Sequence, residues 1–237
     1  ERDKAMIKFA KEEAVDFIGV SFVESAKHIN LIRKLVDKEI PKIVAKVENQ
    51  KGIDNLDNII NAADVIMIDR GDLSTETKIE TLGINQKKII KASNKLSKPV
   101  IVATEMLDNM INNPHPTKAE VLDISNSILD GATATMLSGE TASGKDPLEA
   151  VQTMSKVCEH VEQGLETMPS SPALAKYRAT RAVAHAGVTL SQEENVTRLL
   201  VASQNGNAAR LVSAYRPKCP ITVFTNKIET MRKNTIL

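Results

Sequence analysis

The sequence predicts an α/β protein: a parallel sheet made of five strand-then-helix units, followed by a smaller α/β unit. Three observations carry this. Short apolar runs recur at regular spacing, bounded by Pro, Gly or charged residues. Amphipathic stretches with helical periodicity separate them. The apolar runs are close to continuous, as in strands covered on both faces.

Asp3 to Glu13 opens the chain as a helix, with Met6, Ile7, Phe9 and Ala10 spaced along it. Val15 to Phe22 reads as the first strand and turns polar at Ser21. Ser25 to Lys38 is amphipathic, with Ile29, Ile32, Leu35 and Val36 on one face, and Pro41 stops it. The second strand, Ile43 to Asn49, starts apolar and ends in Lys46, Glu48 and Asn49. A helix over Gly52 to Ala63 leads to strand Asp64 to Ile68, closed by Asp69-Arg70-Gly71-Asp72. Asn85 to Ser97 is helical, and Pro99 to Ala103 is a strand closed by Thr104-Glu105. Thr117 to Leu129 is a helix whose Thr-Lys-Ala-Glu start fits a capping box. Gly131 to Leu137 is the fifth strand, closed by Ser138-Gly139-Glu140-Thr141, and Pro147 to Leu165 is a long helix. Thr167 to Pro172 has the composition of a linker. Beyond it come a helix to Leu190, strands over Leu199 to Ser203 and Ile221 to Thr225 flanking a helix from Asn207 to Tyr215, and a last helix from Lys227. The expected domains are therefore 1–166 and 167–237.

The totals exclude several functions. A formal charge of +1 gives no field that calls for nucleic acid or an acidic membrane, and 3% aromatics leave few base-stacking platforms. No apolar run reaches the roughly 20 residues of a membrane span. Cys158 and Cys219 stand far apart in unlike contexts, so a reducing cytoplasm is expected rather than a disulfide framework.

Polar residues gather at the carboxyl ends of the strands, where α/β barrels and open α/β sheets place their sites; the alternation by itself fits either architecture. Lys46 and Glu48 are two apart and share a strand face. They read either as an ion pair or as part of a site for a phosphorylated substrate and its divalent metal. Glu48 and Asp72 end consecutive strand units, and two such carboxylates suit Mg²⁺. Lys46 would then face an anionic group held by that metal. Gly71 and Asp72 could offer backbone N–H groups to a carboxylate, or form an ordinary turn. Thr104 and Ser138 are expected either to cap helices or to present hydroxyls to a substrate. His28, His115, His160 and His185 are not expected to be ligands, and Met106, Met110 and Met136 read as core.

Taken together, Ala45-Lys46-Val47-Glu48-Asn49, Arg70-Gly71-Asp72-Leu73, Ala103-Thr104-Glu105-Met106-Leu107, Pro116-Thr117-Lys118-Ala119-Glu120 and Leu137-Ser138-Gly139-Glu140-Thr141-Ala142 resemble the pyruvate kinase family, in order and in spacing. The resemblance implies the last five βα units of a TIM-type (β/α)8 barrel, followed by part of the family's C-terminal α/β domain. It further implies phosphoryl transfer between phosphoenolpyruvate and ADP, giving pyruvate and ATP, with Mg²⁺ or Mn²⁺ and, in the family, K⁺. By the same resemblance Lys46 stabilises the transferring phosphoryl group, and Glu48 and Asp72 hold the metal. Gly71, Asp72 and Thr104 bind the substrate carboxylate, and Ser138 belongs to the proton route. A homo-oligomer is expected, a tetramer in the family, in the cytoplasm. Several features depart from the pattern: Asp69 stands where the family usually has Ala, Ser74-Thr75-Glu76-Thr77 replaces a Gly-Ile-Glu-Ile type run, Glu105 stands where Gln is common, Ser143 where Lys is frequent, and the loop Ser203 to Asn207 lacks the usual hydroxyl-and-basic pattern. Two alternatives compete: a Mg²⁺-dependent aldolase or phosphomutase acting on pyruvate or phosphoenolpyruvate, and an interaction module without catalysis.

Overall fold

The computed structural model describes residues 2–36, 41–165, 177–193 and 195–237. The expected domain boundary at 166/167 and the linker Thr167 to Pro172 lie outside the described residues.

Helix α1 (Arg2–Glu12) leads into strand β1 (Phe17–Val20), then α2 (Ala26–Leu35) and β2 (Lys42–Val47). The helix expected over 52–63 is two: α3 (Gln50–Asp54) and α4 (Leu56–Ala62). Asn55 breaks it, because its side-chain amide donates to the carbonyls of Lys51 and Glu24 and so competes with the helical ladder. Strand β3 (Val65–Asp69) runs directly into the short helix α5 (Arg70–Glu76). A 3₁₀ turn then starts α6 (Leu82–Lys95) earlier than the sequence suggested, and β4 (Val100–Ala103) follows. Helix α7 (Lys118–Asp130) carries the expected capping box between Thr117 and Glu120. Strand β5 (Ala134–Met136) is shorter than its apolar run, and Thr133 before it accepts the Val100 N–H on its hydroxyl. A short helix α8 (Gly139–Ala142) and the long α9 (Pro147–Gln163) complete the first unit.

The strand order is β1-β2-β3-β4-β5, every neighbouring pair parallel. Strands joined in sequence order wind one way only. A doubly wound sheet would reverse its order at a switch point, so this is barrel winding. The side chains sort accordingly. Ile43, Ala45, Val47, Ile66, Ile68, Val100 and Val102 face the helices in one large core. The alternate residues Val44, Val65 and Ile101 form a second cluster on the other face, with Met67, Ala134 and Met136 against it. Each fully buried Ile or Val of the outer core contributes about 2 kcal/mol.

The second unit comprises α10 (Arg178–Glu193), β6 (Leu199–Ala202), α11 (Asn207–Ser213), β7 (Ile221–Phe224) and α12 (Ile228–Lys233). Its two strands pair in parallel, and Ala184, Val188, Leu211, Val212 and Tyr215 form its core. It meets the first unit at the amino ends of the strands. Arg210 donates to the Ser97 carbonyl at 2.5 Å, Arg216 to the Ile128 and Ala132 carbonyls at 3.1 and 2.5 Å, and Arg232 lies 3.1 Å from Asp16. The first two arginines thus bind carbonyls at the carboxyl-terminal ends of α6 and α7. The carboxyl ends of the five strands stay clear of these contacts. Both cysteines are free, and no helix among the described residues is long and apolar enough to cross a membrane.

Candidate active site

Strand parity builds the site. Lys46 pairs with Met67 in register, on the face opposite the helices. Two residues on, Glu48 and Asp69 come side by side on that same face as the strands run out. The Lys46 ammonium lies 2.6 Å from Glu48 Oε1, 2.9 Å from Asp69 Oδ2 and 3.2 Å from the Ser21 hydroxyl. Glu48 is completely buried, so the pair is no surface ion pair. Its Oε2 accepts the Phe22 N–H. Its Oε1 has the Lys46 ammonium as its ion-pair partner and no hydrogen-bond donor besides.

Burial pushes the Glu48 carboxyl above its ordinary range, and Lys46 and the Phe22 N–H only partly offset this. For Lys46 burial works to lower the pKa, but the carboxylates of Glu48 and Asp69 outweigh it and hold the ammonium charged. One cation beside two buried acids therefore leaves negative charge uncompensated.

Asp72, in the first turn of α5, joins them. One carboxylate oxygen from each of Glu48, Asp69 and Asp72 lies within 4.8 Å of the others. Two oxygens on one Mg²⁺ are at most about 4.2 Å apart, given bonds near 2.1 Å. Side-chain adjustments of about half an ångström would let one divalent ion bridge the set, and the all-oxygen donors suit a hard cation. No histidine belongs to this cluster.

The loop after β4 closes the site from the side. Thr104 and Glu105 both have positive φ, 68° and 54°. Non-glycine residues hold that backbone only where surroundings impose it. Arg70 imposes it: buried to 5% exposure, it donates to the carbonyls of Thr104 and Glu105, both at 2.7 Å, and pairs with Asp123. The Thr104 hydroxyl is thereby turned toward α5. It accepts the Gly71 N–H at 2.8 Å and stands 3.3 Å from Asp69 Oδ1. Thr104 is thus no helix cap. The Gly71 N–H, expected to meet a substrate carboxylate, is instead taken by Thr104. Gly71 itself packs against Thr104, since a Cβ added there would lie 3.6 Å from its hydroxyl oxygen.

Ser138 stands apart. It follows β5 at the edge of the sheet, and its hydroxyl makes no hydrogen bond to the Lys46 cluster among the described residues. It does not cap α8 through its side chain either. Its N–H is held by Glu140 at 2.8 Å, and the other oxygen of Glu140 accepts the Leu107 N–H at 2.9 Å, tying the loops after β4 and β5 together.

The structure thus brings Lys46, Glu48, Asp72, Gly71 and Thr104 to one end of the sheet and leaves Ser138 outside their contacts. The sequence reading missed Asp69 as a member, Ser21 as a partner of Lys46, and Arg70 as the organiser of the Thr104 loop. For Asp69 and Ser21 the available signal was position, since each ends a strand. Nothing in the sequence marked Arg70 as buried.

Comparison with known proteins gives a consistent result. A family model described as pyruvate kinase, barrel domain, matches residues 1–151, and one described as pyruvate kinase, alpha/beta domain, matches residues 181–237. Pyruvate kinase 1 of Candida glabrata is 41% identical over 239 residues, covering 98% of this chain and 48% of the relative. The pyruvate kinase of Clostridium acetobutylicum is 38% identical, covering 98% of this chain and 50% of the relative. The crystal structure of a pyruvate kinase from Cryptosporidium parvum superposes with a TM-score of 0.95 at 35% identity, over 100% of this chain and 51% of that one. The chain spans about half the length of the relatives it matches.

Proposed function

Since this chain belongs to the pyruvate kinase family, we propose that its carboxyl-end cluster serves phosphoryl transfer between phosphoenolpyruvate and ADP, giving pyruvate and ATP in glycolysis. The observation that carries the proposal is the Lys46 ammonium set 2.6 Å from a fully buried Glu48 where the strands end. Phosphoryl transfer rests on positioning and charge neutralisation more than on covalent help from the protein. A preorganised ammonium in a site partly closed to water supplies the second of these.

In this reading Lys46 holds the charge on the transferring phosphoryl group. Glu48 and Asp72 would hold Mg²⁺ or Mn²⁺, which when bound neutralises phosphoryl charge and orients the oxygens. Thr104 presents its hydroxyl toward the substrate carboxylate, giving up its bond to the Gly71 N–H or sharing it. The Asp72 N–H is assigned to the same carboxylate. Ser138 is assigned to the proton route to the enolate carbon, by family likeness alone. K⁺ dependence, a homo-oligomeric state and a cytoplasmic setting belong to the same proposal.

Binding tests this more directly than turnover, because the chain spans half of its relatives. Mn²⁺ bound beside phosphoenolpyruvate accelerates the relaxation of its ³¹P nucleus. We expect that acceleration with the 237-residue chain, a loss of at least tenfold in phosphoenolpyruvate affinity in Lys46→Met, and no acceleration in Glu48→Gln. Equal relaxation in all three proteins would overturn the proposal.

A further inference from the structure

We infer that Asp69 is a third carboxylate of the cation site, and that the Lys46 ammonium is a tethered cation which a divalent ion displaces. This rests on the metal-binding role proposed above for Glu48 and Asp72, and adds to it a ligand and an exchange.

Asp69 ought to cap α5. It occupies the N-cap position of that helix, and a capping aspartate turns its carboxylate back onto the first-turn N–H groups. Here it makes no such bond. One oxygen takes the Thr104 hydroxyl at 3.3 Å, and the other points to Lys46 at 2.9 Å. The side chain has given up a local hydrogen bond to reach the cluster.

The ammonium marks where a cation is wanted. It lies between Glu48 and Asp69, with the Ser21 hydroxyl as a third contact. Three carboxylates against one ammonium leave a net charge of −2 in a cluster whose ligand oxygens fall within 4.8 Å of one another. Glu48 Oε1 is fully buried and has no hydrogen-bond donor besides that ammonium, so this oxygen needs a cation at that spot. A divalent ion in its place brings the three carboxylates to a net charge of −1, because its charge exceeds that of the ammonium it replaces. Lys46 is then released on its flexible stem toward an oxyanion held by the ion. Cation loading and exposure of Lys46 become one event. The third carboxylate lets the ion bind before any anionic substrate arrives.

Mn²⁺ alone is the probe, followed through the paramagnetic resonance signal of the free ion, with circular dichroism and a thermal midpoint recorded for every variant. Asp69→Asn should weaken Mn²⁺ binding at least tenfold, and Asp69→Glu, which restores the carboxylate, should recover part of the loss. Lys46→Met should tighten Mn²⁺ binding at least threefold, because the tethered competitor is gone. Asp69→Asn within twofold of the wild-type protein, or Lys46→Met equal to or weaker than it, overturns the inference. Glu48→Gln separates the two levels. If it leaves Mn²⁺ binding intact, the metal site itself is wrong; if it abolishes binding while Asp69→Asn does not weaken it, only the role given to Asp69 falls.

Discussion

The two ends of the five-stranded sheet both place acids beside lysines, yet they treat them in opposite ways. At the amino end Asp64 meets Arg33 at 2.9 Å, the Ile43 N–H at 2.9 Å and Lys42 at 3.7 Å. Burial there works to raise the Asp64 pKa, but the Ile43 N–H and the charges of Lys42 and Arg33 outweigh it, and the carboxyl ends below its ordinary range. At the carboxyl end Glu48 lies 2.6 Å from Lys46 and is still pushed up. Cations outnumber acids around Asp64, and acids outnumber cations around Lys46. A structural ion pair is closed to further partners, whereas a binding site is left charged and open. That ratio, rather than the presence of an ion pair, separates scaffold from function in this molecule.

Removing the carboxylate from the closed end is the strongest way to break the contrast. Asp64→Asn should cost about 3 kcal/mol of stability, since it leaves Arg33 and Lys42 without their acid. Urea unfolding at neutral pH measures this. The acid dependence checks the cause. A carboxyl whose folded pKa is depressed adds stability above its unfolded value, and that stability is lost as pH falls through the folded one. The wild-type protein should therefore lose an increment below about pH 4 that the variant lacks. Mn²⁺ affinity should not change. Equal stability of the two proteins would mean that the closed end is no more structural than the open one.

Much of this was legible from the sequence, and the reasons are physical. Short apolar runs such as Ile43 to Ala45, bounded by Pro41 and charged residues, read as strands covered on both faces, and two-residue parity brings Lys46 and Glu48 to one side. The Thr117 to Glu120 spacing fixed a helix start that the structure reproduces. Parity within one strand, however, says nothing about register between strands. Only the pairing of Lys46 with Met67 sets Asp69 beside Glu48, which is why Asp69 was read as a departure from a pattern and not as a site residue. Arg70 was illegible for a related reason. A buried arginine pairs with carbonyls of a distant loop, and carbonyls carry no sequence signature. Barrel winding was equally out of reach from strand-helix alternation, because it resides in the neighbour order of the strands.

A smaller effect sharpens the contrast from the basic side. The Lys98 amine, bonded to the Ala63 carbonyl at the amino end, is pushed down to about 8. Burial is the main cause, reinforced by Arg210, Arg33 and Lys42 and eased by Asp64. The unfolded chain holds this proton up to about pH 10.4. Between those values the unfolded state binds more protons, so stability should rise with pH from about 8 to about 10, by roughly 2 kcal/mol. Lys98→Met should flatten that rise, as read from urea midpoints across the range. A rise that persists in the variant would assign it to other lysines and remove Lys98 from the crowded cationic end.

The smallest effect tests whether location or saturation is what matters. Glu120 also sits at the carboxyl end of the sheet, but it is a closed acid like Asp64. One oxygen accepts the Asn109 N–H at 2.7 Å, and the other accepts the Thr117 N–H at 2.6 Å and its hydroxyl at 2.9 Å. Thr117 in turn accepts the Glu120 N–H at 3.2 Å. Thr117→Ala should cost about 1 kcal/mol, the usual loss of a cap, and should leave Mn²⁺ affinity as it was. Both are read from one preparation, by thermal unfolding and by the free Mn²⁺ signal. If Mn²⁺ binding fell along with the cap, the carboxyl end would act as a single charged surface, and satisfaction of each acid by its donors would no longer distinguish the site from its frame.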